Sequence, residues 1–263
     1  MLGIGPIGCA QDTTQLPHAT SPAPRARAAR STLCMLAAVA VLAHAVPSWG
    51  APPVDERERI GESFEGRPIR VFHRGDPEDV RVLVVGCIHG DECAGVRISG
   101  RLRTGRPRRS LDLWILPTLN PDGRGAHTRQ NARGVDLNRK FPYRWRSGPR
   151  GRYYPGRRAA SEPETRIAMR LIRRIEPDVT IWFHQPLGLV DASGNVRLER
   201  RYARLVGLPL VHLGRLHGTA TSWQKHELRG TEAFVVELPG GGLRPRAVRL
   251  FARAVYRLVS PGG

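Results

Sequence analysis

Apolar positions along the chain follow two rhythms. Short runs of consecutive apolar residues, "RVLVV" at 81–85, "LDLWIL" at 111–116, "DVTIWF" at 178–183 and "AFVVEL" at 233–238, have the length and β-branched content of strands buried on both faces. "LPLVHLG" at 208–214 predicts a further strand, and residues 54–81 a short strand or hairpin leading in. Between these runs the apolar positions recur at helical spacing, in 91–103, 161–177 and 244–259. The middle helix carries a start signal, Ser161 as N-cap with Pro163 and Glu164 in the first turn. Asn120-Pro121-Asp122-Gly123 predicts a turn. Strands alternating with helices predict an α/β fold, a single domain whose mixed, mostly parallel central sheet is flanked by helices. One stretch, 124–158, is too long and too aperiodic for an ordinary connection in a compact domain, unless it builds a site.

Residues 1–51 break this pattern. A polar segment is followed by Arg25, Arg27 and Arg30, an apolar run from Leu33 to Val46, and "PSWGAPP". Basic region, short apolar region and small residues together predict an N-terminal extension and secretory signal peptide, cleaved after Ala45 or Ala51. The apolar run is shorter than the ~20 residues a membrane-spanning helix needs, so no stable span is expected after cleavage. No internal repeat or linker follows, and the catalytic domain is assigned to 54–263. Its expected location is extracytoplasmic.

A net charge of +19 invites a nucleic-acid reading. Only Lys140 and Lys225 are lysine, however, and the arginines read as scattered along a chain rich in Gly, Pro and Ala. No nucleic-acid module accompanies the charge, and no specific nucleic-acid partner is expected. The cysteines left after signal cleavage, Cys87 and Cys93, can pair in an oxidising compartment or remain two half-buried thiols.

Three strand-like segments end in metal-ligating or proton-accepting residues: His89 with Glu92 after the first, His184 after another, Glu237 at the last. Ligands collect at the carboxyl ends of strands in open α/β sheets. Two histidines and one carboxylate leave a fourth tetrahedral position open for water, the pattern of a catalytic zinc. His89 and Glu92 converge if the strand ends at His89 and a helix begins at once, with Asp91 as its cap. His73, His127, His212, His217 and His226 are expected to be structural or surface groups.

"HGDE", "NPDGRGAHTRQNARGVDLNRKFP", "ASEPET", "FHQP" and "VVELP", in that order, resemble the zinc carboxypeptidase superfamily, and within it the bacterial murein peptide (γ-D-glutamyl-diaminopimelate) amidases. The resemblance covers roughly residues 60–240. It implies one Zn2+ per chain held by His89, Glu92 and His184, with Glu237 as catalytic base. Asp136 in "GVDLNR" matches a carboxylate that orients the first histidine, and Asn138 and Arg139 match a pair holding the substrate's free carboxylate. Arg129 matches the arginine that stabilises the oxyanion, with Arg133 as its rival. Lys140 stands where many relatives have Asn, and the substrate-side tyrosine of digestive carboxypeptidases is replaced by "HGTATSWQKHE".

These features imply a secreted zinc-dependent peptidase or amidase acting on a murein peptide. A C-terminal metallocarboxypeptidase and a deacylase resembling succinylglutamate desuccinylase or aspartoacylase are the enzymatic alternatives. A wall-binding protein without turnover is the alternative of another class. Oligomeric state stays open at this level.

Overall fold

The computed structural model describes residues 54–105, 111–214 and 216–259; the signal-peptide segment lies outside them. Strands β1 (Val54–Glu62) and β2 (Pro68–Gly75) form the expected hairpin, antiparallel and broken by an irregularity at Arg59–Gly61. They extend a central parallel set made of β3 (Arg81–Val85), β4 (Asp112–Leu116), β5 (Val179–His184) and β8 (Glu232–Pro239). β6 (Leu187–Asp191) returns antiparallel to β8, and the two-residue β7 (Leu210–Val211) closes that edge. The sheet order is β1-β2-β4-β3-β5-β8-β6-β7, mixed as expected.

Side-chain alternation along the central strands splits the core in two. On β3, Val82 and Val84 join one apolar cluster and Leu83 and Val85 the other. The first cluster receives α1 (Gly95–Thr104), α4 (Val196–Val206) and α6 (Pro245–Leu258) through residues such as Ile98, Tyr202 and Phe251. The second receives α3 (Pro163–Ile175) and α5 (Ala220–Glu227), through Ile172 and Trp223 among others. Burial on both faces is why the strands read as unbroken apolar runs.

The chain leaves β3 through α1 to β4 on one side and later returns to β5 on the other. Helices α1 and α3 therefore cover opposite faces, and a crevice opens beyond the carboxyl ends of β3 and β5, where open α/β sheets bind ligands.

Several local expectations change. β3 stops at Val85 and α1 starts only at Gly95, so His89 and Glu92 lie in a loop between strand and helix. Asp91 does not cap α1, whose N-cap is Ala94; it pairs instead with Arg152 at 3.3 Å. Glu162, not Ser161, is the N-cap of α3, because Pro163 takes the first helical position. The Asn120–Gly123 turn continues into a short helix, α2 (Pro121–Ala126), with Asn120 Oδ1 accepting the Gly123 N–H at 2.9 Å.

Candidate metal centre and its cleft

Three neighbouring strands deliver the site. β3 leads into the His89–Glu92 loop, β5 ends at His184, and β8 carries Glu237 directly opposite His184 in register. The loop of 86–94 is braced twice. Cys87 and Cys93 are joined as a disulfide around it. Gly90 also lies against the Gly123 backbone so closely that a Cβ would sit 1.9 Å from the Gly123 carbonyl carbon. The glycines of "HGDE" and "NPDG" are two sides of one contact.

His89, Glu92 and His184 are buried, and one ligand atom from each lies within 4.8 Å of the others. Glu92 Oε2 stands 2.9 Å from His89 Nδ1 and 3.0 Å from His184 Nδ1. His89 Nε2 faces Asp136 Oδ1 at 2.9 Å. A neutral imidazole has one N–H, yet His89 meets a carboxylate with each nitrogen, which without a metal demands a doubly protonated ring. A cation held by His89, Glu92 and His184 would remove the need for the second proton and leave the Nε2–H of His89 for Asp136. Two imidazole nitrogens and a carboxylate oxygen suit zinc with an open position, so the residues fit the ion.

Burial pushes the Glu92 carboxyl up, but hydrogen bonds from His184 and His89 outweigh it and hold it far below the usual carboxylate range. Asp136 is likewise held far down against its burial, by His89 and then by Arg129. His89 is raised: burial lowers it, and the charge and hydrogen bond of Asp136 prevail. In His184 burial prevails and the ring is lowered.

Arg129 ties this centre together from behind. Its Nε donates to Asp136 Oδ2 at 3.0 Å and its Nη1 to Glu92 Oε1 at 2.5 Å. Arg133 goes elsewhere. It is half exposed, stands 3.5 Å from Glu162 and over the Phe64 ring, and does not line the cleft. Asn138 and Arg139 sit on a single 3-10 turn, Leu137–Arg139, capped by Asp136. Asn138 Oδ1 accepts the Ala220 N–H at 3.0 Å, and Arg139 Nη1 donates to the Asn138 carbonyl at 2.8 Å.

Glu237 differs from the other carboxylates. Burial pushes it up to about 7, the charge of Glu92 adds to the shift, and Oε2 is buried without a partner among the described residues. His184 Nε2 is buried unpartnered as well. His89, Glu92, Arg129, Asn138, Arg139, His184 and Glu237 line one cleft of about 930 Å³, with Tyr143, Tyr153, Thr221, Lys225 and His226 among its other walls. The stretch 219–226, where the digestive enzymes' tyrosine has no match, thus forms the cap and body of α5 on the cleft wall. Lys140 is buried away from it, with Nζ on the Pro155 carbonyl at 2.8 Å.

One participant is invisible in the sequence. Gln185, next to His184, accepts the Ala94 N–H at 2.9 Å and donates to the carbonyls of Pro239 and Gly241 at 2.9 and 2.8 Å. It joins the loop of Glu92 to the turn after Glu237. "FHQP" offers a glutamine beside His184, and no pattern in it announces the two segments that the side chain bridges.

A model of the zinc carboxypeptidase family matches residues 51–186. The murein peptide amidase A of Escherichia coli K12 is 35% identical over 168 residues, 59% of this chain and 69% of that protein. The murein peptide amidase A of Vibrio campbellii is 32% identical over 165 residues, 57% and 66% of the two chains. The crystal structure of murein-tripeptide amidase from Escherichia coli O157 superposes with a TM-score of 0.65 at 30% identity, covering 80% of this chain and 93% of that one. Carboxypeptidase A from Helicoverpa armigera, at 18% identity and a TM-score of 0.63, covers 78% and 69% of the chains and shares the fold. Ordered motifs, sheet topology and a His-Glu-His cluster in one cleft agree with these likenesses: the chain belongs to the zinc carboxypeptidase family and is a hydrolase of its peptidase and amidase kind.

Proposed function

We propose that this protein is a secreted amidase that hydrolyses an amide bond in murein peptides, next to a free carboxylate, with one zinc ion and Glu237 as general base. The observation that carries this reading is one cleft lined by the His89–Glu92–His184 cluster, Glu237 and the Asn138–Arg139 pair. Likeness to the murein peptide amidases supports the substrate, and the N-terminal sequence pattern supports export.

Bound zinc supplies an acidified water and a polarised scissile carbonyl. The chain's own residues do the rest. With its proton affinity raised to about 7, Glu237 is matched to accepting a proton from water and returning it to the leaving nitrogen near neutral pH. Arg129 has Nε and Nη1 committed to Asp136 and Glu92, leaving Nη2 to face a developing oxyanion, an interaction worth on the order of 3 kcal/mol. Arg139 can clamp the substrate's terminal carboxylate by paired N–H donors, with Asn138 beside it.

Mass spectrometry of defined muropeptides incubated with the purified, zinc-loaded protein tests the reading. Release of diaminopimelate, or a dipeptide containing it, from a glutamyl amide is expected. Stepwise loss of ordinary C-terminal residues would assign a carboxypeptidase. Zinc binding without any cleavage would assign a binding protein.

A further inference from the structure

The long segment between Asp136 and Glu162 contains no acidic residue and eight basic ones, seven of them arginine. The arginines are therefore not evenly scattered, as the composition suggested. Four of them, Arg139, Arg146, Arg150 and Arg152, surround a cavity of about 350 Å³ together with Tyr153 and His217. Among the described residues, no carboxylate lines it. Arg139, Arg152 and Tyr153 also line the main cleft, so the two cavities share a wall.

Among the described residues, only Arg152 of these four has an ion-pair partner, Asp91. Elsewhere Arg67, Arg81, Arg129 and Arg174 each meet a carboxylate. The arginine wall is also held in shape. Gln130 Nε2 donates to the carbonyls of Gly151 and Arg152, each at 3.0 Å, and the Tyr154 carbonyl accepts the Asp136 N–H at 2.8 Å. Lys140 Nζ and Trp145 Nε1 both donate to the Pro155 carbonyl, at 2.8 and 3.2 Å. A Cβ at Gly156, where φ is +72°, would collide with Lys140 Nζ. Like charges gathered on a fixed wall raise one another's energy, and an anion between them relieves it. A guanidinium's planar fork matches a carboxylate.

We propose that this pocket is an anion subsite continuous with the active cleft, taking a second carboxylate that the substrate carries besides its terminal one. The assignment rests on the hydrolytic reading of the cleft and narrows the substrate to peptides with an acidic group a short way from the scissile amide.

The test uses the zinc-loaded full chain and two matched peptides with the same scissile amide and terminal carboxylate. One bears a free carboxylate beyond the amide, and the other bears its primary amide. The wild type is expected to favour the acid by about tenfold, mainly through KM, and the preference should shrink as NaCl rises from about 50 to about 300 mM. In the double variant Arg146→Gln, Arg150→Gln the ratio should fall to within about twofold of unity. A wild-type ratio near one, or a double variant that keeps the preference, overturns the subsite. If neither peptide is cleaved, the hydrolytic reading fails, and calorimetric binding of both peptides to the zinc-loaded Glu237→Gln protein still decides the subsite by the same ratio. Inorganic phosphate binding more tightly than the acid peptide, and lost in the double variant, would assign the pocket to phosphate and overturn the carboxylate.

Discussion

The floor of the cleft and its arginine-rich rim treat charge in opposite ways. On the floor, Glu92 and Asp136 each meet His89 and Arg129, and His184 meets Glu92. Burial makes each of those contacts obligatory, because an unpaired charge there would carry its full desolvation cost. On the rim, Arg139, Arg146 and Arg150 meet no carboxylate among the described residues, and solvent bears the charge of the exposed Arg146 and Arg150. The floor is thus specified by its own residues. The rim is complete only with something else. Glu237 stands between the two regimes, buried and charged only at a cost.

The largest effect separating floor from rim should come from the proposed metal ligands. His89→Ala should abolish both zinc retention and hydrolysis, read by metal analysis and peptide turnover. Glu237→Gln comes next: zinc stays bound, and kcat falls by about 10²–10⁴-fold. The raised proton affinity of Glu237 also sets a direction with pH. The residue accepts a proton only when ionised, so kcat should drop as pH falls through about 7, and a flat profile between pH 5 and 8 would remove it as the base.

Stability runs the other way. A carboxyl with a folded pKa above its ordinary 4.5 binds more protons folded than unfolded between those values, so its contribution destabilises as pH rises across that window. The metal-free Glu237→Gln protein should therefore gain thermal stability over wild type at pH 8 and show little gain at pH 4. Asp136→Asn leaves the ligands in place but weakens the hold on His89, and zinc affinity should fall by about 10–100-fold in competition titrations.

Gln185→Ala removes three hydrogen bonds between loops and should lower kcat about tenfold. Gln185→Glu should not rescue it, because a carboxylate cannot donate to the Pro239 and Gly241 carbonyls. Smallest of all, Arg157→Ala and Arg158→Ala, both exposed on the far part of the rim segment, should each change folding stability by less than about 0.5 kcal/mol in urea melts.

What the sequence disclosed and what it hid follow from the same physics. Strands buried on both faces read as apolar runs, which made β3, β4, β5 and β8 legible and pointed to His89 beyond β3, His184 at the end of β5 and Glu237 near the end of β8. The remaining elements near the site carry weaker patterns. β6 is five residues long and begins exposed at Leu187, and α4 carries arginines through "VRLERRYARLV" that mask its apolar side. Arg129 and Arg133 lie four residues apart in one aperiodic stretch, and no local periodicity separates their roles. Only the fold sends one to Asp136 and Glu92 and the other to Glu162. Gln185 acts through carbonyls of residues about 55 positions away, and no local pattern encodes that.

Because β3, β5 and β8 are adjacent and parallel, the site is ruled in units of sheet spacing, about 4.8 Å from one strand to the next. That interval is a property of backbone hydrogen bonding and is indifferent to side chains. Sequence drift inside the strands cannot stretch or compress the distance between His184 and Glu237. It can only hold register or slip by one residue, which would turn the slipped strand's side chain to the opposite face and leave its partner's in place. The catalytic geometry therefore inherits its scale from the peptide group itself, and the loops beyond the strand ends remain free to vary the cargo.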